Sequence, residues 1–176
     1  MNTRSINRKM RYLGTLAVFL GLGVIANTAS ADIRLAKQNT APQGNTISAY
    51  LDLDGTASGI QSVVNFKTSN PNRLVRVIFN AEGSIAGGPS NWLDTTILIN
   101  PAGVAGEVAC APSNSDNAFV SGNGTATQND GWVSAVTQCF YRIPSIGDHT
   151  VRVLVSPRPG GTPWRIDDLS LVIDDD

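Results

Sequence analysis

The chain has 176 residues, of which 15% are charged, and its formal net charge is −1. Four of its thirteen basic residues and none of its fourteen acidic ones lie in the first 31 residues, so residues 32–176 carry nine positive against fourteen negative charges, a net charge of −5. This balance argues against nucleic acid or an anionic membrane as a general partner.

The first 31 residues have the pattern of a secretory signal peptide. A basic segment ending at Arg11 precedes an uncharged, mostly apolar run from Leu13 to Ala26, and Ala29-Ser30-Ala31 has the small-x-small form of a cleavage site. An uncleaved membrane anchor is the alternative, but the apolar run is short for the ~20 residues that a membrane-spanning helix needs. We therefore expect a secreted or periplasmic protein of residues 32–176, with no membrane span after removal of the signal.

The remaining chain predicts short strands separated by turns. Residues 32–44 are polar and lack a clear period, which leaves a loose lead-in or a peripheral strand open, and residues 45–176 form one predicted domain. Alternating apolar and polar residues, bounded by Gly, Pro, Asn and Asp, indicate strands near residues 47–53, 63–67, 74–80, 92–100, 107–111, 119–120, 132–143, 150–155 and 164–174. The pattern predicts an all-β fold, an antiparallel β-sandwich of the jelly-roll type with seven to nine strands.

The last predicted strand has an irregular pattern. Its apolar residues occupy even positions before Asp167-Asp168 and odd positions after it: Trp164, Ile166, Leu169, Leu171 and Ile173. A strand with one buried face changes phase only where it begins, bends or carries a bulge, so we expect one of these at the Asp pair. The three aspartates at 174–176 are interpreted as a solvated chain end.

The two cysteines, Cys110 and Cys139, predict one disulfide, because an even pair in an exported chain is usually oxidised. A catalytic thiol is the alternative and needs a base, but the only histidine is His149, which we expect at the surface or in a capping role at the start of a strand. One histidine is also too few for a zinc site, and there is no Gly-x-Ser-x-Gly motif. No two carboxylates have the spacing of a glycosidase pair.

Asp167 is in phase with Leu169 and Leu171, which would direct its carboxylate to the buried side. A buried carboxylate requires a cation or hydrogen-bond donors. Two interpretations follow: a calcium ion, which binds oxygen ligands, or an ion pair with an arginine such as Arg76 or Arg152. The ion pair, or a solvated position at the rim of the sandwich, is favoured over calcium, because buried charges are commonly paired.

Each of the three tryptophans begins a predicted strand next to a loop, and a partly exposed indole suits stacking on the face of a sugar. For Trp92 and Trp132, closing one end of the core is the favoured role. Trp164 follows a Gly-Gly-Thr-Pro loop and is out of phase with the core residues after it. It is therefore the predicted exposed residue of a ligand site that also contains Arg165 and Asp168.

The segment Trp164–Leu171 resembles the final strand of secreted jelly-roll carbohydrate-binding modules with the galactose-binding-like fold, and Gly147–Val153 resembles their penultimate strand. In that family an acidic residue of the closing strand often helps to hold a structural calcium ion. The resemblance implies this role for Asp167 or Asp168. Other jelly rolls, including trimeric ones of the tumour-necrosis-factor-like kind, close with similar residues.

These observations together predict an exported, non-catalytic β-sandwich domain that binds a glycan or a cell-surface component. A structural or adhesive subunit that acts through protein–protein contacts is the alternative. A secreted hydrolase is less favoured, because no catalytic constellation is apparent in the sequence.

Overall fold

The computed structural model describes residues 32–55, 63–113, 118–124, 127 and 131–175. The predicted signal peptide lies outside these residues. The described part forms eleven strands: β1 Asp32–Asn39, β2 Gln43–Asn45, β3 Ala49–Tyr50, β4 Val64–Thr68, β5 Arg73–Ile85, β6 Trp92–Asn100, β7 Val108–Ala109, β8 Ala118–Ser121, β9 Val133–Ile143, β10 Gly147–Arg158 and β11 Trp164–Asp175. Within the described ranges, no helix is long and apolar enough to cross a membrane.

The strands form two antiparallel sheets that pack together, which confirms the predicted β-sandwich. Sheet A has the order β1-β11-β5-β9, with β2 also paired to β11. Sheet B has the order β3-β10-β6-β7, with β4 also paired to β10 and β8 to β6. The nine segments expected from the sequence correspond to β3–β11. The two further strands, β1 and β2, lie where the sequence left a lead-in or a peripheral strand open.

The core lies between the sheets and is built from every second residue of the long strands, as the period of two requires. Between Val75 and Phe79 of β5 and between Val151 and Val155 of β10, the inward positions are fully buried and are occupied by β-branched and aromatic residues that favour strands. The inward residues of these two strands include Val75, Val77, Phe79, Val151, Val153 and Val155.

A bulge in β11 confirms the predicted phase change. The register of β11 against β5 shifts between Asp167 and Ser170, and Asp168 has a φ of 45°. Aspartate tolerates this left-handed conformation better than most residues, and the Oδ1 atom of Asp167 accepts a hydrogen bond of 2.9 Å from the N–H of Asp168. The extra residue lets Trp164 and Ile166 face the core together with the apolar residues after the bulge.

Two expectations about aspartates are wrong. Asp167 is half-buried and lies on the outer face of β11, next to the inward residue Ile166. The bulge follows Asp167, so this residue does not share a face with Leu169 and Leu171. The chain end is not solvated either: Asp175 is buried and accepts a bond of 2.6 Å from Arg34 Nε, and Asp174 is buried and bound to Arg76. Because β11 runs to Asp175 between β1 and β5, these carboxylates meet arginines of both neighbouring strands. Asp176 lies outside the described residues.

The predicted disulfide between Cys110 and Cys139 is confirmed, with a Cα–Cα distance of 5.4 Å. Both residues are fully buried. The N–H of Cys110 donates to the carbonyl of Ile97 in sheet B, whereas Cys139 belongs to β9 of sheet A. The disulfide therefore joins the two sheets.

The expected surface position of His149 is wrong, because its side chain is fully buried. Its ring lies 5.2 Å from that of Phe66, measured between centroids. Burial lowers the pKa of His149 below its ordinary value, and the negative charge of Asp148 opposes this effect.

Candidate functional site

A groove opens beside the first residues of β11, and we call it the β2–β11 groove. Its volume is about 360 Å³, within the range of sites that hold small molecules. It is lined by Pro42, Gly44, Asn45, Thr46, Pro163, Trp164 and Arg165. The lining thus combines proline rings with amide, hydroxyl and guanidinium groups, a mixture that suits a polar ligand with an apolar face.

The pairing of β2 with β11 brings the two sides of the groove together. Asn45 and Gly44 of β2 lie opposite Trp164 and Arg165 of β11, and the N–H of Gly161 donates a bond of 2.9 Å to the carbonyl of Thr46. Gly44 is required for this close approach. A Cβ atom there would lie 2.6 Å from the carbonyl oxygen of Trp164 and 3.0 Å from Cγ of Arg165.

Trp164 is only 1% exposed, so the prediction of an exposed indole at this position is wrong. The bulge that follows keeps the residue on the core side of β11. Its Nε1 donates a hydrogen bond of 3.0 Å to the carbonyl of Ile47, which attaches the segment after β2 to the closing strand. Trp164 therefore supports the wall of the groove from behind, and a role in direct ligand contact stays a prediction.

Arg165 connects the groove to an aromatic side chain. It alternates with the inward residues Trp164 and Ile166 and is half-buried on the outer face of sheet A. Its guanidinium carbon lies 6.0 Å from the ring centroid of Trp132, at the edge of the range for a cation–π contact. Trp132 is half-buried just before β9. The guanidinium of Arg165, which lines the groove, thus lies over the indole of Trp132, which is outside the lining.

Two carboxylates lie further along the same face. Asp167 and Glu82 are directly opposite each other in the pairing of β11 with β5, and both are half-buried. Asp168 is exposed in the bulge and does not line the groove. Of the predicted ligand-binding residues, the structure therefore brings Trp164 and Arg165 together and leaves Asp168 outside.

The predicted calcium ligands, Asp167 and Asp168, follow each other in the bulge of β11. Calcium requires six to eight oxygen ligands. Among the described residues there is no group of three or more His, Cys, Asp or Glu side chains that could hold a metal ion. One oxygen of Asp167 is also engaged by the N–H of Asp168. Calcium binding by Asp167 and Asp168 stays a prediction.

Sequence reasoning missed a cluster at the start of β6. Trp92 is 37% exposed, so its expected core-closing role is wrong. Its Nε1 donates a bond of 2.9 Å to Oδ1 of Asp94, which is buried, and Nε of Arg158 donates one of 2.8 Å to Oδ2 of the same carboxylate. Residues two apart on a strand share a face, so the Trp-x-Asp spacing was the signal for the first contact. The arginine could not be found in this way, since it belongs to another strand.

The outer face of sheet A also carries an exposed apolar patch. Val136 and Phe140 of β9 are 62% and 43% exposed. Ile78 lies on the neighbouring strand opposite Gln138, between these two residues, and Val172 lies opposite Ile78 on the next strand. We call these four apolar residues the β9 patch.

No protein-family model and no curated protein matches the sequence. Among solved structures, the chain is similar to the CBM22-1 xylan-binding domain of Xyn10C from Paenibacillus barcinonensis, with 10% sequence identity and a TM-score of 0.38, and the match covers 81% of this chain and 94% of that one. The carbohydrate-binding module CBM6cm-2 from Cellvibrio mixtus lichenase 5A, in complex with cellotriose, is similar with 14% sequence identity and a TM-score of 0.29. The match covers 81% of this chain and 98% of that one. Dimeric latent PorU from Porphyromonas gingivalis is similar with 12% sequence identity and a TM-score of 0.30, and the match covers 84% of this chain and 14% of that one.

Proposed function

We propose that this protein is an exported, non-catalytic domain that binds a glycan or a cell-surface component through the β2–β11 groove. The observation that carries the proposal is the position of Arg165, which lines the groove and lies beside the ring of Trp132. Sugars present hydroxyl groups at their edges and C–H groups on their faces. A cation next to an indole can engage both kinds of group at once.

The other side of the groove supplies complementary groups. The amide of Asn45 and the hydroxyl of Thr46 are exposed at its rim, and Oδ1 of Asn45 accepts a bond of 2.8 Å from the N–H of Thr46. This bond orients the amide so that its NH2 group faces away from the turn. Pro42 and Pro163 add apolar surface. A ligand unit in the groove would thus contact hydrogen-bonding groups from two strands.

The composition of the groove supports binding without chemistry. Glycoside hydrolysis requires two carboxylates across the scissile bond. The seven lining residues include no carboxylate, and Asp167 and Glu82 lie further along the face. Among the described residues, the one histidine is buried and bonded within the core. Export remains part of the proposal and rests on the pattern of the first 31 residues.

The test is a broad glycan array with the purified protein, followed by titration of each hit in the presence of calcium or a chelator. Xylan fragments and cellotriose belong among the probes, as ligands named for the two similar modules. We expect Arg165→Ala to weaken binding at least tenfold, as the loss of a charged hydrogen bond does. Arg142→Ala, at the other end of sheet A, is the matched control. Equal affinities of the two variants would place the site elsewhere.

The calcium and chelator arms test the predicted metal ligands. No group of three or more His, Cys, Asp or Glu side chains that could hold a metal ion lies in the described residues, and we therefore expect the same affinity with calcium and with chelator. A hit that is lost on chelation would instead make these two aspartates the first residues to mutate.

A structural or adhesive subunit is the second candidate, and the β9 patch favours it. Exposed apolar surface on a sheet face marks protein contacts in many soluble proteins. Sedimentation of the purified protein over a range of concentrations tests this function, with Val136→Ser and Phe140→Ser as variants. A monomer at all concentrations, unaffected by the substitutions, would count against self-association.

A further inference from the structure

We propose that Trp92 and Arg158 form a second sugar-binding site, on the outer face of sheet B, so that one molecule can hold two glycan chains. This inference rests on the proposed function and adds a second, independent contact to it. The site would take a pyranose ring stacked on the indole, with its hydroxyl groups directed to the guanidinium.

The indole of Trp92 is both exposed and fixed. The residue begins β6 and points away from the core, in the alternate position to the buried Leu93. The only polar atom of its side chain is bound to the carboxylate of Asp94, which is 1% exposed. A ring held in this way loses little conformational freedom when a ligand stacks on it, which favours binding.

Arg158 lies directly opposite Trp92 in the pairing of β10 with β6. Its side chain is 46% exposed, and its Nε atom is bound to the second oxygen of Asp94. One buried carboxylate therefore positions both an aromatic ring and a guanidinium on the same face. Tryptophan and arginine are the residue types most enriched where binding energy is concentrated.

Ser121 completes this side of the site, because it is exposed on β8 and lies opposite Trp92 on the other side of β6. Three neighbouring strands thus present, in one row, the guanidinium of Arg158, the indole of Trp92 and the hydroxyl of Ser121. Such a row combines one apolar face with donors on both sides, which matches the faces and edges of a pyranose.

The two sites lie at the same end of the sandwich but on opposite sheets. Arg158 ends β10 and Trp164 begins β11, so only residues 159–163 separate the second site from the groove along the chain. Packed sheets are about 10 Å apart, and the outer faces point in opposite directions. One monosaccharide or disaccharide cannot therefore contact both Arg165 and Trp92. Two ligands can bind at the same time.

The test is titration of the 15N-labelled full chain with cellotriose, xylotriose and trigalacturonate, monitored through the indole N–H signals of its three tryptophans. Trp92→Phe and Trp132→Phe assign the signals. We expect a saturable shift of the Trp92 signal that persists in Arg165→Ala, because the two sites are separate. Ser121→Lys places a long side chain beside the indole without touching Asp94. It should weaken the Trp92 response at least tenfold and leave that of Trp132 unchanged, whereas Asn65→Lys, at an exposed position of β4 in the same sheet, is the matched control and should leave both responses unchanged.

The outcomes separate the two proposals. A shift of the Trp132 signal with no response of Trp92, or a Trp92 response that Ser121→Lys leaves intact, would overturn the second site and leave the groove in place. A Trp92 response alone would retain the second site and refute the groove. No response of either signal to any probe would refute both.

Discussion

His149 and Thr68 are joined in the protein interior by a hydrogen bond of 2.8 Å between Nε2 and Oγ1. The other ring nitrogen, Nδ1, accepts a bond of 2.9 Å from the backbone N–H of Ala102. The ring is therefore neutral with its proton on Nε2, which donates to Thr68, and the Thr68 hydroxyl donates in turn to the carbonyl of Ser145. This chain of bonds connects β10 to the end of β4 and to two loops.

We expect the stability of the protein to fall as the pH drops below 6.5. Burial lowers the pKa of folded His149, so the unfolded chain binds its proton first. The contribution is complete above the unfolded pKa of 6.5 and is lost as the pH falls from there through the folded pKa, by at most about 1.4 kcal/mol per pH unit. Urea unfolding between pH 5.5 and 7.5 measures the slope. His149→Gln should flatten it, and an unchanged slope would contradict the assignment.

Asp175→Ala should destabilise the protein by about 2–3 kcal/mol, because it removes a fully buried carboxylate from between two partly exposed arginines. Arg34 lies 2.6 Å and Arg73 3.3 Å from its oxygens. The matched control is Glu107→Ala, which breaks the ion pair with Arg152 at the protein surface and should cost less than about 1 kcal/mol. The midpoints of urea unfolding compare the two variants, and equal midpoints would show that Asp175 adds nothing beyond a surface pair.

Reduction of the disulfide should lower the melting temperature by roughly 10 °C. Cys110 and Cys139 are 29 residues apart, and closing a loop of this length stabilises the folded state by about 3–4 kcal/mol on the chain-entropy estimate. Calorimetry with and without reductant measures the change, and the Cys110→Ser/Cys139→Ser double variant should melt at the temperature of the reduced protein. A loss of less than about 1 kcal/mol would show that the loop is already constrained by the two sheets.

Gly44→Ala should separate β2 from β11 and weaken ligand binding in the groove. The added Cβ would meet the carbonyl oxygen of Trp164 at 2.6 Å, and this backbone atom cannot move without disturbing the strand. We expect a loss of about 1–3 kcal/mol in stability. Gly160→Ala, where nothing lies within 4 Å of the new Cβ, is the matched control. Thermal melting of both variants tests the expectation, which fails if Gly44→Ala melts like the control.

The sequence predicted the sheets well because strand alternation is local. The inward set of β5, Val75, Val77 and Phe79, follows from the period of two, and the phase change at Asp167-Asp168 correctly predicted the bulge. The same phase change led to the wrong prediction that the indole of Trp164 is exposed. A bulge allows residues on both sides of it to face the core, whereas a strand that simply begins at the Asp pair would have left the indole outside.

Contacts between distant residues explain the remaining errors. His149 is buried because its partner Thr68 is 81 positions away, and Asp175 is buried because Arg34 is 141 positions away. Hydrogen bonds and ion pairs of this range depend on the order of the strands, which the alternation of single strands does not determine. The groove depends on strand order in the same way, since the sequence indicated Arg165 and Trp164 but not the opposing side around Asn45.

The first and last strands lie side by side, with Asp32 opposite Asp175. The β2–β11 groove and the Trp92 cluster lie at the other end of the sandwich, and the twelve residues of β11 separate the two ends by roughly 36 Å. A bead, a surface or a second protein attached beside Asp32 would therefore lie at the end of the molecule away from both candidate sites. Immobilisation beside Asp32 should leave ligand capacity unchanged, whereas coupling through the loop at 159–163 should block it.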